Sequence, residues 1–403
     1  MLFTGAQRLA RQLRGMGLSS ACLLEKGERV SNAGDVDHWI EYDPSDLSAL
    51  KRWATHWPQR HRIAAVLNRR ERRVLEHALL NQALGMPGLR PHQARVFRDK
   101  LLLRRLLEER APHLNPTFEE VALEQEGTPP LPFPFLLKPR NLFKSQLIVA
   151  CRSMREWESG LKRIREGWKP AQKRHGVRLE SSLLAEEEIQ GSHFSVDALV
   201  TPKGHLLFSP PVYLTTAMEW GIEDFHVAVR WVPAGLEREK IGLMEQAVAD
   251  LVEAMELRAS PLHVDLVMQG QRVWVLDAAP RVGGYRSEMM ELAWGCSLDI
   301  MSLRLALGDE VRWEPRWERS VAVVELFPPG SGILEAIHGL EQVRRLGSFH
   351  RLRQRVALGE GVGLAREGFR CPIFVVMVNP EADALRRDVE SLRGFIGMEV
   401  SSP

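Results

Sequence analysis

The sequence predicts an α/β protein whose later parts turn to α+β, and three observations predict it. Through residues 1–92, short apolar runs alternate with amphipathic segments of helical period, the pattern of parallel strands joined by helices. In the middle of the chain, apolar runs pair across short turns instead, as 194–200 does with 205–208. The tail, 311–403, reads as strands at 321–327, 356–363 and 372–378 with a closing helix at 382–396, a small α+β unit.

Each element has its own signal. Residues 1–4 read as a strand and 6–16 as a helix, since Leu9, Leu13 and Met16 fall at helical spacing. A strand at 20–24 precedes a helix at 43–57, opened by Asp43-Pro44. The run 63–67 is a strand, and Val74, Leu75, Ala78, Leu79 and Ala83 make one apolar face of a helix over 69–84, stopped at Gly85. Helices follow at 98–111, 155–165, 236–257 and 296–307, and strands at 135–138 and 147–150. Three units are expected: 1–92 parallel α/β, 93–310, and 311–403 α+β.

Composition removes several function classes. A chain of 403 residues with 44% apolar and 26% charged residues builds ordinary cores. Fifty-four basic residues against 52 acidic give a net charge of +2, too balanced for general attraction to nucleic acid or a membrane surface. Cys22, Cys151, Cys296 and Cys371 are scattered with no CxxC pair, so neither a zinc site nor a disulfide framework is expected, and a cytoplasmic location fits. No run approaches the ~20 apolar residues of a membrane span.

The chemistry concentrates at residues 263–286, HVDLVMQGQRVWVLDAAPRVGGYR. Two apolar strands meet at the turn 269–271, and each carries one acid, Asp265 and Asp277. Paired strands can put both carboxylates on one face. Pro280, Arg281, Gly283 and Gly284 then present a guanidinium beside open backbone, a set suited to a divalent metal holding phosphates. Other signals are weak singly. Lys138 ends the strand in Phe-Leu-Leu-Lys-Pro, Lys100 opens a helix, and Ser145 lies in the loop 139–146. Glu186-Glu187-Glu188 precedes Ile189-Gln190-Gly191, with His193 and Asp197 beyond.

Taken in order, Asp-Lys, Leu-Lys-Pro, Glu-Glu-x-Ile-x-Gly and acid–strand–acid with Pro-Arg-x-Gly-Gly, the chain resembles the ATP-grasp ligases over almost its whole length. Residues 68–104 are similar to the L-amino acid ligase and carnosine synthase branch, with a Leu-Gly-x-Pro-Gly-Leu loop before the Asp-Lys helix. The resemblance implies an ATP-grasp fold, with 93–310 two-lobed in antiparallel sheets and a lid lobe at about 135–190, and an ADP-forming ligase that joins a carboxylate to an amine through an acyl phosphate. It implies that Lys100, Lys138 and Ser145 contact ATP phosphates, that Glu186 and Ile189 hold the adenine, and that His193 faces the ribose. Asp265 and Asp277 would hold Mg2+, Arg281 would stabilise the reacting charge, and Arg286, Gly283 and Gly284 would line the substrate site. Tyr213, Trp220 and Trp294 are further lining candidates. The implied partners are small-molecule acids and amines, with no nucleic acid and no membrane, and relatives of this kind are often homodimers.

Departures from the pattern favour a second reading. Aspartates replace the usual glutamates, Ala279 stands where a third ligand is common, His193 replaces a ribose-binding acid, and the loop 139–146 has no glycine, though Lys144 adds charge. A nucleotide-binding pseudoenzyme acting as partner or regulator is therefore the alternative. A carboxylating enzyme would need a bicarbonate site, and the sequence offers none.

Overall fold

The computed structural model describes the whole chain except residues 1, 4, 29, 31–33, 57–61, 143–144, 176–177 and 402–403. Lys144 therefore lies outside the described residues. Strands Leu2–Phe3, Ala21–Glu25 and His38–Tyr42 form a parallel sheet, and Leu2 also bridges Leu67 in parallel. This is the expected α/β start. The run 63–67 is not a full strand, because only Leu67 pairs.

The lid is an antiparallel sheet in the order Phe118–Ala122, Ser182–Glu187, Phe135–Pro139, Val149–Cys151. Phe135, Leu137, Leu183 and Ala185 point to one face, where Trp157, Leu161 and Ile164 of helix Met154–His175 cover them. Residues 188–191 then carry the chain from the lid into strand Ser192–Val200 of a nine-stranded sheet. Gly191 is there because a Cβ would stand 2.5 Å from the Met268 carbonyl oxygen.

The nine-stranded sheet runs Arg272–Ala279, Ser260–Gln269, Ser192–Val200, Val212–Thr216, Val227–Val232, Ser320–Leu326, Ile373–Asn379, Phe349–Gln354, with Leu206–Phe208 paired beside Ser192–Val200. It passes residue 310 without a break, so the tail contributes three of its strands. One face packs Val196, Val264 and Leu266 against helix Arg238–Ala254. The other packs Val212, Leu214, Val321 and Val323 under helices Arg286–Trp294 and Leu298–Leu307.

Several elements differ from expectation. The strand expected at 356–363 pairs only at Gly361–Val362, and the helix expected at 296–307 begins at Leu298. Strands at His38–Tyr42, Phe118–Ala122, Phe349–Gln354 and Gly397–Ser401 were not anticipated, and each lies at a sheet edge, where half-solvated side chains blur the alternation. The interior strands Val212–Thr216 and Val227–Val232 were also unanticipated, whereas the helix expected after the glycines, with Trp294 in it, runs Arg286–Trp294.

Candidate active site at the lid hinge

Lys100 and Lys138 reach the same region from different elements and meet different partners. Asp99 caps helix Lys100–Arg110, its Oδ1 accepting from the Leu101 and Leu102 amides at 3.0 and 3.4 Å. Arg140 binds the same carboxylate, and the Lys100 amide donates to the Arg140 carbonyl at 2.9 Å. The ammonium of Lys100 donates to the Leu142 carbonyl at 2.8 Å and lies 3.2 Å from Asp277 Oδ2. Lys138 is instead buried and paired with Glu186.

Glu186 is a buried hub. Its second oxygen accepts from Arg104 Nε at 2.6 Å, and Arg104 is itself 0% exposed. Burial alone would raise the Glu186 pKa, but Arg104 and then Lys138 outweigh it and hold it below the carboxylate range. Burial pushes Lys138 below its usual value against the pull of Glu186. Ile189 lies half-buried in the crossing segment, and His193, half-buried on the next strand, has its pKa lowered by burial. Ser145 has φ +56° and donates to the Phe225 carbonyl at 3.3 Å.

Asp265 and Asp277 stand directly opposite each other on the hairpin. Strand alternation alone does not put them there. Gln269 pairs with Arg272 and Leu266 with Val275, so an unbroken ladder would set Asp265 against Leu276 and turn Asp277 toward the core face with Val264. Leu276 is instead an extra residue, a β-bulge that brings both acids to one face. Arg104 holds the bulge, donating from Nη1 to the Val275 carbonyl at 2.7 Å and from Nη2 to the Leu276 carbonyl at 2.5 Å. The same guanidinium thus ties the acid hairpin to Glu186 and the lid.

Both carboxylates keep solvent access, with side chains 41% and 40% exposed. His263 Nε2 lies 3.3 Å from Asp265 Oδ1, and its Nδ1 lies 3.0 Å from Asp197 Oδ2. Burial would raise the Asp265 pKa, but His263, Arg286 and Arg281 bring it down to about 2. Two anionic, accessible carboxylates on one face suit a hard divalent cation that takes its remaining oxygens from phosphate and water. Among the described residues no third His, Cys, Asp or Glu completes a cluster, and Ala279 is buried opposite His263.

The arginines are placed more tightly than expected. Arg281 Nε donates to Glu71 Oε2 at 2.7 Å, so its fork is held by the N-terminal unit. Arg286 is buried, with Nε and Nη2 on the Ser195 hydroxyl at 3.0 and 2.6 Å and Nη1 on the Gly284 carbonyl at 3.2 Å. Gly283 fills a tight place, since a Cβ would meet the His263 ring at 2.5 Å, and its amide donates to Asp197 at 2.6 Å. Gly284 faces open space. Trp294 fills core. Tyr213 and Trp220 line a cavity of about 370 Å³ with Trp231 and Arg393; the Tyr213 ring packs on Phe194, on the opposite face of the sheet from the two acids.

Sequence reading missed Arg104, Glu71, Ser195 and His263. Arg104 looks like one more surface arginine in a Leu/Arg-rich helix, and only the Leu101, Leu103 and Leu107 burial beside it marks that face as interior.

The sequence profile of the ATP-grasp domain matches residues 131–288, from the lid through the acid hairpin. No curated protein matches the chain. Among solved structures, the fold is similar to the L-amino acid ligase from Bacillus licheniformis, with a TM-score of 0.81 at 19% identity over 100% of this chain and 98% of that chain. It is also similar to N5-carboxyaminoimidazole synthetase from Staphylococcus aureus complexed with ADP (0.72, 14%, 97% and 95%) and to phosphoribosylglycinamide synthetase from Anaerococcus prevotii (0.66, 15%, 99% and 99%). The chain contains an ATP-grasp domain and has the ATP-grasp fold along its whole length. No helix of the described residues is long and apolar enough to cross a membrane.

Proposed function

We propose that the chain is an ATP-dependent, ADP-forming ligase that joins a carboxylate, an amino acid or related acid, to an amine. The observation that carries the reading is the bulged hairpin, which sets Asp265 and Asp277 on one accessible face with Lys100 3.2 Å from Asp277. Mg2+ held there would neutralise charge on ATP phosphates. Lys100, bonded to the Leu142 carbonyl, and Ser145 of the same loop would position the phosphates, while Ile189, Glu186 and His193 would frame the nucleoside end at the lid crossing. Glu186 does so through the backbone only, since its side chain is spent on Lys138 and Arg104.

In the first step the acid's carboxylate oxygen attacks the γ-phosphorus and the bond to ADP breaks. In the second the amine attacks the acyl carbon, phosphate leaves and the amine loses a proton. Arg281, oriented by Glu71, would stabilise the charge that develops in both steps, so positioning and electrostatics do most of the work. The test is ADP release with panels of acid and amine pairs. If ATP binds but no pair releases ADP, the ligase reading fails.

The absence of a third acidic group among the described residues favours the second reading, a nucleotide-binding pseudoenzyme. ATP binding that is tight and indifferent to Mg2+ would support it.

A further inference from the structure

The sheet face that carries the two acids continues well past them. Asp265 pairs with Ser195, Ser195 with Val212, and Leu214, two residues on, with Arg230. Arg230 pairs with Val323, and Glu325 is two residues beyond. Directly opposed residues share a face, as do alternate residues of one strand, so Arg230 and Glu325 lie on the same sheet face as Asp265 and Asp277.

That end of the face is rich in guanidinium. Arg230 Nη1 lies 3.0 Å from Glu325 Oε2, and Arg355 Nη1 lies 3.6 Å from Glu325 Oε1. Arg355 Nη2 donates to the Tyr285 hydroxyl at 2.6 Å, and that hydroxyl donates to Glu325 at 2.7 Å. Both guanidiniums sit over the Tyr285 ring, 5.2 and 5.5 Å from its centre. Tyr285 holds this place with φ +63°, a left-handed conformation that is costly for a bulky residue. Arg286 stands between this group and the acids, its bonds going to a neutral hydroxyl and a carbonyl. Its nearest carboxylate, Asp197 at 3.9 Å, is already engaged by His263 and Gly283. Burial and the neighbouring Arg230 lower the Arg286 pKa to about 10. Arg230 and Arg355 thus flank Glu325, half-buried, with the buried Arg286 beyond them, and the exposed Gly284 has nothing within 4 Å of where a Cβ would stand. A half-buried excess of positive charge is complementary to an anion.

The geometry points to an acid substrate with two carboxylates: one reacts near Asp265 and Asp277, and the other is received by Arg230 and Arg355 across the Tyr285 ring. This rests on the ligase reading above. Acids of the glutamate and aspartate class have the required second charge; their monoamides have the same size without it. Guanidinium–carboxylate recognition is bidentate and charge-assisted, so loss of the charge is expected to cost about 100-fold in kcat/KM.

The experiment compares glutamate with glutamine, and aspartate with asparagine, as the acid, in the full-length protein with ATP, Mg2+ and an amine panel. ADP release gives the kcat/KM ratio of each acid to its amide. A second arm measures direct calorimetric binding of the same four compounds in the presence of a non-hydrolysable ATP analogue. The wild type is expected to favour the diacids by about 100-fold, Arg230→Gln to bring the ratio near one, and Arg230→Lys to fall between. A wild-type ratio near one, or a ratio unchanged in Arg230→Gln, overturns the inference while leaving the ligase reading intact. If no acid releases ADP, the ligase reading fails, and the binding arm decides alone. Tighter diacid binding that Arg230→Gln removes then supports the anion site, and equal binding overturns it.

Discussion

Two charged regions meet the same arginine-rich helix one turn apart, at Arg104 and at Lys100, and behave in opposite ways. At the lid hinge, Lys138 and Arg104 are buried and both pair with buried Glu186. At the hairpin mouth, Asp265 and Asp277 are some 40% exposed; His263 pairs with the first and Lys100 with the second. The hinge charges are paired within the protein. At the mouth, Asp277 also accepts from the Ala278 amide at 3.0 Å, yet both carboxylates stay open to solvent. Arg104 belongs to the first region and sets the geometry of the second, because it fixes the bulge that turns Asp277 outward.

The comparison breaks most visibly at Arg104. Arg104→Met leaves Glu186 with one cation and frees two buried carbonyls, so a loss of about 3–5 kcal/mol in unfolding free energy is expected by denaturant titration. Arg104→Lys keeps a charge on Glu186 but loses the fork, and should restore only part of that loss. A cost under about 1 kcal/mol for Arg104→Met would show that the hinge does not depend on this residue.

A buried group without countercharge sharpens the contrast. His77 is buried with Nε2 3.1 Å from the Val66 carbonyl, and burial lowers its pKa from 6.5 to about 4. The unfolded chain takes up this proton near pH 6.5 and the folded chain only near 4. Its contribution, up to about 3 kcal/mol, is therefore fully present above pH 6.5 and lost as the pH falls toward 4. Denaturant midpoints from pH 7 to 4.5 should drop in the wild type and drop less in His77→Gln; parallel curves would contradict the assignment.

Gly191→Ala probes the join between the two lobes. Its Cβ would meet the Met268 carbonyl, so a loss of about 1–3 kcal/mol is expected, measured as a shift in thermal midpoint. A neutral result would mean that the crossing segment yields. Smallest of all is the stability effect of Asp277→Asn, which should stay within about 1 kcal/mol because the carboxylate is half in water.

Fold class, hinge and acid hairpin were legible in the sequence because each rests on local pattern: the Leu-Lys-Pro strand end, the Gly191 crossing, and two apolar strands with one acid apiece. What escaped rests on long-range fit. The bulge at Leu276 cannot be seen in a ladder counted from the turn, and that count would have sent Asp277 to the wrong face. Arg104 shares the composition of its solvent-facing neighbour Arg105, and its role depends on residues 82 and 171 positions away. Glu71 likewise meets Arg281 across 210 residues. The edge strand Phe349–Gln354, Phe-His-Arg-Leu-Arg-Gln, carries too much charge to read as a strand without its partner Ile373–Asn379.

The most direct measurement of the central claim is calorimetric ATP affinity with and without Mg2+, alongside ADP release, in the wild type and in Asp277→Asn. If the two acids share an ion on the reactive phosphates, the wild type binds ATP in a Mg2+-dependent way, and the variant loses that dependence and at least about 100-fold in ADP release while staying folded. Equal Mg2+ dependence and equal ADP release in the two proteins would contradict the account.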